Sequence, residues 1–133
     1  MPRFEELFAG AQRDPEPTGS PFLSFDLADK LQQLRTEDHP WQAGRNARIL
    51  VKYPNLRILL VGFRQGTHMA EHRAAGPISI HIVTGHILVR AAGKPLALRE
   101  GQLLALEAEV PHDLEALAES AVLVTISWPG AKG

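Results

Sequence analysis

The chain has 133 residues, 14 Lys+Arg against 15 Asp+Glu for a net charge of -1, and no cysteine. That length fits one domain able to bury roughly two-thirds of its unfolded surface. The missing cysteines exclude a disulfide scaffold and a thiolate metal site, which leaves imidazoles and carboxylates as metal ligands. Near-neutral charge argues against a dedicated nucleic-acid binder, whose phosphate contacts need a basic surplus. No apolar run approaches the roughly 18 residues of a membrane helix, and the charges scattered through Met1 to Gly10 do not suit a secretory segment. The expectation is a soluble, cytoplasmic, single-domain protein with neither nucleic acid nor membrane as partner.

Phe4, Leu7 and Phe8 lie at helical spacing, enough for one or two turns with an apolar face. Asp14-Pro-Glu-Pro-Thr-Gly-Ser-Pro21 follows, and its prolines fix φ and remove donors, so it is expected to be a linker. Residues 1–20 are therefore expected to form a flexible, proline-containing N-terminal arm, and residues 21–133 a single domain. A sharper alternative docks the Phe4/Leu7/Phe8 face on a partner subunit, because so short a helix is marginal alone.

Leu27, Lys30, Leu31 and Leu34 fall at i, i+3, i+4 and i+7, which predicts a short helix capped by Asp26 or Ser24. It should stop before Pro40, because the residue preceding a proline is pushed out of the α region. After Trp41 the chain breaks into short strands separated by turns. Ala47, Ile49, Val51 and Tyr53 alternate with Arg48, Leu50 and Lys52, and Leu56–Phe63 returns as a largely apolar strand. Stretches 78–84 and 87–90 flank Gly85-His86, Ala92-Gly-Lys-Pro95 is a turn, and 102–106, 111–117 and 121–127 complete the series. Such regular spacing suggests a sandwich or closed barrel.

Six histidines carry the site argument: His39, His68, His72, His81, His86 and His112. His39, beside Pro40, is expected at the surface. Gly66, His72 and Gly85 fit the first glycine, first histidine and closing glycine of G-x5-H-x-H-x(3,4)-E-x6-G. Gly101 and His112 fit the glycine and histidine of G-x5-P-x-G-x2-H-x3-N. On these two segments the chain resembles the cupin family, over about residues 47–127. The resemblance implies an all-β, cupin-type jelly-roll barrel (double-stranded β-helix) with one short N-terminal helix, and one divalent transition metal, Zn, Fe, Ni or Mn, held inside. Neutral imidazoles on facing strands suit those metals.

The departures from the pattern are specific. Ala74 stands at the second histidine, Ile78 at the glutamate and Ala116 at the asparagine; Glu107 and Glu109 replace the proline and glycine. His72 and His112 are left of four ligand positions, and two imidazoles alone make a weak site, since catalytic zinc centres usually use three protein ligands. His68 is the best spare ligand, although on a regular strand it would share a face with His72 at about 13 Å. One ion could bridge them only if the chain bent at Met69-Ala70. Recruiting Glu71 also needs a bulge. His81, out of phase with Ile78, Ile80 and Ile82, should face outward, and His86 should lie at the rim. His68-Met-Ala-Glu-His72 lacks the glutamate directly after the first histidine that zincin chemistry needs.

The candidate ligand pocket is therefore His72, Ala74, Ile78, Ile80 and His112, and the candidate metal ligands are His72, His112 and His68; no catalytic residue is assigned. Leu104 and Leu106 could extend an apolar lining suited to a small apolar or amphipathic molecule. Arg64 and Arg73 could hold a carboxylate or phosphate. Val61 and Phe63 fall on one strand face, Leu60 and Ile58 on the other, so the outer face needs either the helix or a second subunit, and a homodimer is expected. Three functions follow: a small-molecule-binding cupin with a degenerate two-histidine metal site, a metal-dependent dioxygenase or isomerase, or a filled structural module.

Overall fold

The computed structural model describes residues 2–8, 11–13, 20–36, 41 and 43–127. His39 and most of the 14–21 proline stretch lie outside them. In chain order the elements are α1 (Phe4–Leu7), β1 (Gln12–Arg13), α2 (Leu27–Thr36), β2 (Arg45–Tyr53), β3 (Leu56–Phe63), β4 (His68–His72), β5 (Ile78–Thr84), β6 (His86–Ala91), β7 (Lys94–Arg99), β8 (Leu103–Leu106), β9 (His112–Ala116) and β10 (Ser120–Ser127). The strands form a six-stranded sheet, β1-β2-β3-β10-β5-β8, and a four-stranded sheet, β4-β9-β6-β7. Their inner faces share one apolar cluster, with Val61, Ile80, Ile82 and Val122 from the larger sheet against Met69, Ile87, Val89 and Leu114 from the smaller. This is a two-sheet sandwich.

Helix α2 forms where its apolar spacing predicts. Asp26 Oδ1 accepts hydrogen bonds from the backbone N–H of Ala28 (3.0 Å) and Asp29 (3.3 Å), so Asp26 caps two donors that the first turn leaves free. Leu27, Leu31 and Leu34 then pack with Leu50, Val51 and Leu60 on the outer side of the larger sheet. The apolar outer face of β3, which suggested a second subunit, is covered by this helix of the same chain. No helix among the described residues is long and apolar enough to cross a membrane.

Strand β2 departs from simple alternation. Ile49 pairs with Leu59 and Val51 with Ile58, so Leu50 is an extra residue and the strand bulges. The bulge changes phase: Ala47 and Ile49 pack toward the interior, while Val51 and Tyr53 join the outer cluster under α2. Strand β7 begins at Lys94, inside the stretch that its Gly and Pro mark as a turn. The turn itself is Ala92-Gly93, with φ of 50° and 79°, the pair of positive values that a two-residue hairpin needs. Pro95 is tolerated because β7 is an edge strand.

Gly85 joins β5 to β6 at φ 100°, as its place between two strands predicts. The backbone N–H of His86 donates to Ser120 Oγ at 3.0 Å, tying that turn to the start of β10. A Cβ on Gly85 would stand 2.6 Å from the Glu119 carbonyl oxygen.

The N-terminal segment differs most from expectation. Instead of a loose tail or an arm on a partner, Phe4 and Phe8 are 5% and 7% exposed and belong to the interior cluster. The physical reason is volume: the inner strand positions are mostly Ile, Val and Leu, and two phenyl rings fill the space they leave. Burying such rings stabilises by about 1.5–3 kcal/mol each. The Phe4 N–H donates to the Arg73 carbonyl at 2.8 Å, and the Arg73 N–H to the Pro2 carbonyl at 3.2 Å.

Candidate functional site

Strand β4 brings His72 inward through a second bulge. Met69 pairs with Leu114 and His72 with His112, so Ala70 and Glu71 on β4 stand against Asp113 alone on β9. In a regular strand Met69 and His72 would face opposite ways. With the extra residue both are buried, while Ala70 and Glu71 are exposed. The same bulge separates His68 from His72, which an unbroken strand would have placed on one face.

His72 and His112 are 2% and 1% exposed and occupy one rung of the β4–β9 ladder. Their rings meet edge to face, with centroids 4.2 Å apart at 64°. Each Nδ1 lies near the carbonyl two residues earlier, His72 at 2.8 Å from Ala70 O and His112 at 3.1 Å from Val110 O. A carbonyl can only accept, so each Nδ1 carries the proton and each neutral ring keeps an unprotonated Nε2. The Nε2 of His112 is buried and has no hydrogen-bond partner among the described residues.

Burial dominates the titration of both rings. Desolvation lowers the His72 pKa to about 4; the Ala70 hydrogen bond opposes it, and the charges of His112 and Arg45 add to it. Desolvation likewise holds His112 below the usual imidazole range, opposed by the Val110 hydrogen bond and by Asp113 and Glu71. Near neutral pH the pair is two uncharged acceptors in an apolar interior.

Of the five expected pocket residues, His72, Ile80 and His112 line a cavity together with Phe4, Phe8 and Met69. Ala74 and Ile78 are buried in the surrounding cluster but form none of its walls. The space is narrow, with room for roughly one water. The Phe4 ring closes the space beside the pair, its centroid 6.0 Å from that of His72.

His68 does not join the other two. Its Nε2 is 3.6 Å from Asp113 Oδ2, and its side chain is 52% exposed. Asp113 follows His112 on β9 and points to the opposite face, where Arg90 also approaches it at 3.5 Å. His81 is half-buried between the inward Ile80 and Ile82, and His86 is half-buried beside the Gly85 turn. The arginine pair expected to hold an anion is engaged elsewhere. Arg73 lies 3.7 Å from Glu109, and the Arg64 guanidinium sits 4.6 Å from the Trp41 ring.

Three residues of this site escape a reading of the sequence. Phe4 and Phe8 carry a signal, their helical spacing, but nothing in it points inward. Arg45 resembles a solvated strand residue, yet its guanidinium lies 5.5 Å from the Phe8 ring and its charge disfavours protonation of His72.

The residues present do not fit a metal centre. The orphaned Nε2 of His112 and the tautomer of His72 suit ligation, but no group of three or more His, Asp or Glu that could hold an ion exists among the described residues. Two imidazoles with apolar walls supply neither the ligand number nor the negative charge that a divalent ion needs.

No family model and no curated protein matches the sequence. Solved structures do share the fold. An RmlC-like cupin from Shewanella frigidimarina NCIMB 400 aligns over 85% of this chain and 95% of its own, with 19% identity and a TM-score of 0.67. A cupin 2 conserved barrel domain protein from Leptotrichia buccalis aligns over 68% of this chain and 44% of its own, with 25% identity and a TM-score of 0.62. A salicylate 1,2-dioxygenase from Pseudaminobacter salicylatoxidans aligns over 76% of this chain and 31% of its own, with 22% identity and a TM-score of 0.62.

Proposed function

We propose that the chain is a member of the cupin superfamily, and that its two sheets act as a jelly-roll barrel binding one small neutral molecule at the His72/His112 pair. The observation that carries this reading is the buried Nε2 of His112, which has no partner among the described residues and lies beside a second uncharged imidazole. A buried polar atom without a partner costs stability, and a ligand that presents a donor to it recovers that loss. Both Nδ1–H groups are committed to carbonyls, so the pair can accept from a ligand but has no proton to give. The ligand is therefore a molecule with a hydroxyl or N–H group on an apolar body, and an anion is disfavoured. The pair is what remains of a four-ligand metal pattern, and no catalytic step is assigned to it.

Binding of p-cresol, toluene and benzoate to the purified protein tests this by calorimetry. We expect p-cresol to bind about tenfold or more tightly than toluene, because only its hydroxyl satisfies the imidazole. Benzoate should bind no better than toluene, and the preference should vanish in His112→Phe. Equal binding of cresol and toluene would overturn the hydrogen-bonding role.

The narrow cavity favours a second reading, a filled fold serving as a structural module, and failure of every probe to bind would establish it. A metal-dependent dioxygenase or isomerase rests on likeness of fold and on two of four ligand positions. A homodimer and a cytoplasmic location belong to the proposal from sequence alone; light scattering on the purified chain tests the dimer.

A further inference from the structure

We propose that residues 2–8 are a displaceable plug, which leaves the interior while the two sheets stay folded and so controls access to the His72/His112 pair. This rests on the small-molecule reading for its purpose but not for its physics. Phe4 and Phe8 occupy the space beside the two imidazoles and leave room for roughly one water. Any larger occupant of that site has to replace them.

Helix α1 has four residues and no side-chain hydrogen bond at its N-cap, so it has little stability of its own. It joins the sandwich by a parallel bridge between Arg3 and Arg73 with two backbone hydrogen bonds. The Arg3–Glu109 ion pair at 2.6 Å has side chains 40% and 43% exposed, so water and salt screen it. The Arg45 guanidinium lies 5.5 Å from the Phe8 ring. Beyond the plug, Gln12 and Arg13 pair with Arg48 and Ile49, so the chain keeps a second anchor when the first is released. A ligand of similar apolar area would take over the cover that the two rings provide, so the exchange leaves the inner walls dry.

Amide hydrogen exchange on the wild-type protein tests the opening directly. The Phe4 and Arg73 amides, which bond to Arg73 O and Pro2 O, should exchange together and about a hundredfold or more faster than the Val122 amide in the core. Equal protection at all three would overturn the proposal, because the segment would then open only with global unfolding. A lock gives the second arm. The chain has no cysteine, so Arg3→Cys with Arg73→Cys places a single thiol pair on neighbouring bridge partners. Oxidation should weaken p-cresol binding about tenfold or more, and reduction should restore it. Unchanged affinity on oxidation would also overturn the plug while leaving the small-molecule reading intact. If no form of the protein binds p-cresol, the small-molecule reading fails and the exchange pattern alone decides whether the plug opens.

Discussion

His72 and His112 face each other across one rung of the β4–β9 ladder, with their ring centroids 4.2 Å apart and both Nδ1 atoms turned to backbone carbonyls. Two imidazoles so close and so buried resist protonation. Burial lowers the His72 pKa from 6.5 to about 4 and lowers that of His112 in the same direction.

Stability therefore depends on pH with a definite sign. Well above pH 6.5 both histidines are neutral in the folded and unfolded chain, and their contribution is complete. As pH falls from there toward about 4, the unfolded chain takes up protons that the folded pair refuses, and stability is lost. The His72 shift alone corresponds to about 3 kcal/mol over that window. Urea denaturation at neutral pH and near about pH 5 measures the loss. His72→Gln should flatten the dependence, and an unchanged slope in that variant would place the protons elsewhere.

Much of this arrangement is legible in the sequence. The resemblance of the glycine and histidine spacing to the cupin motifs implies that His72 and His112 share one interior, and the phase of Ile78, Ile80 and Ile82 puts His81 outside it. Alternation fails where a strand carries an extra residue, and a bulge leaves little trace in side-chain type. That is why alternation alone sets Val51 on the face of Ile49, and why it makes His68 a spare for His72. The cover supplied by α2 is one of two alternatives until the packing of Leu34 on Leu60 decides it. Phe4 and Phe8 give a clear helical spacing, but periodicity shows that a face is apolar without showing what it meets.

The Gly85 turn yields a local test. Gly85→Ala introduces both a positive-φ side chain and a Cβ 2.6 Å from the Glu119 carbonyl, which is backbone and cannot rotate away. The expected cost is about 2–4 kcal/mol by chemical denaturation. Gly101→Ala shares the positive φ but meets nothing within 4 Å, and should cost about 1 kcal/mol. Equal costs would mean that Ser120 and Glu119 shift freely to make room.

Restoring the missing ligands tests the motif register. Ala74→His with Ile78→Glu puts an imidazole and a carboxylate at two buried positions. Without metal the double variant should lose about 2–4 kcal/mol, from overpacking and from an unpaired buried carboxyl group. Added zinc should raise its melting temperature and leave that of the wild type unchanged. No metal-dependent shift would show that residues 74 and 78 do not face the same point as His72 and His112.

Truncating the plug and truncating the wall should differ in kind. Ile82 is fully buried between strands of the larger sheet, and Ile82→Ala should cost about 2–5 kcal/mol of global stability. Phe4 is equally apolar and nearly as buried, but it belongs to a short segment whose contacts among the described residues include two backbone bonds and a screened ion pair. Phe4→Ala should therefore cost only about 1–2 kcal/mol, because the shortened segment can undock without unfolding the sheets. The same variant should show faster exchange at the Arg73 amide with no change at Val122. A cost for Phe4→Ala as large as that for Ile82→Ala, with Arg73 and Val122 equally protected, would make the N-terminal segment part of the cooperative core.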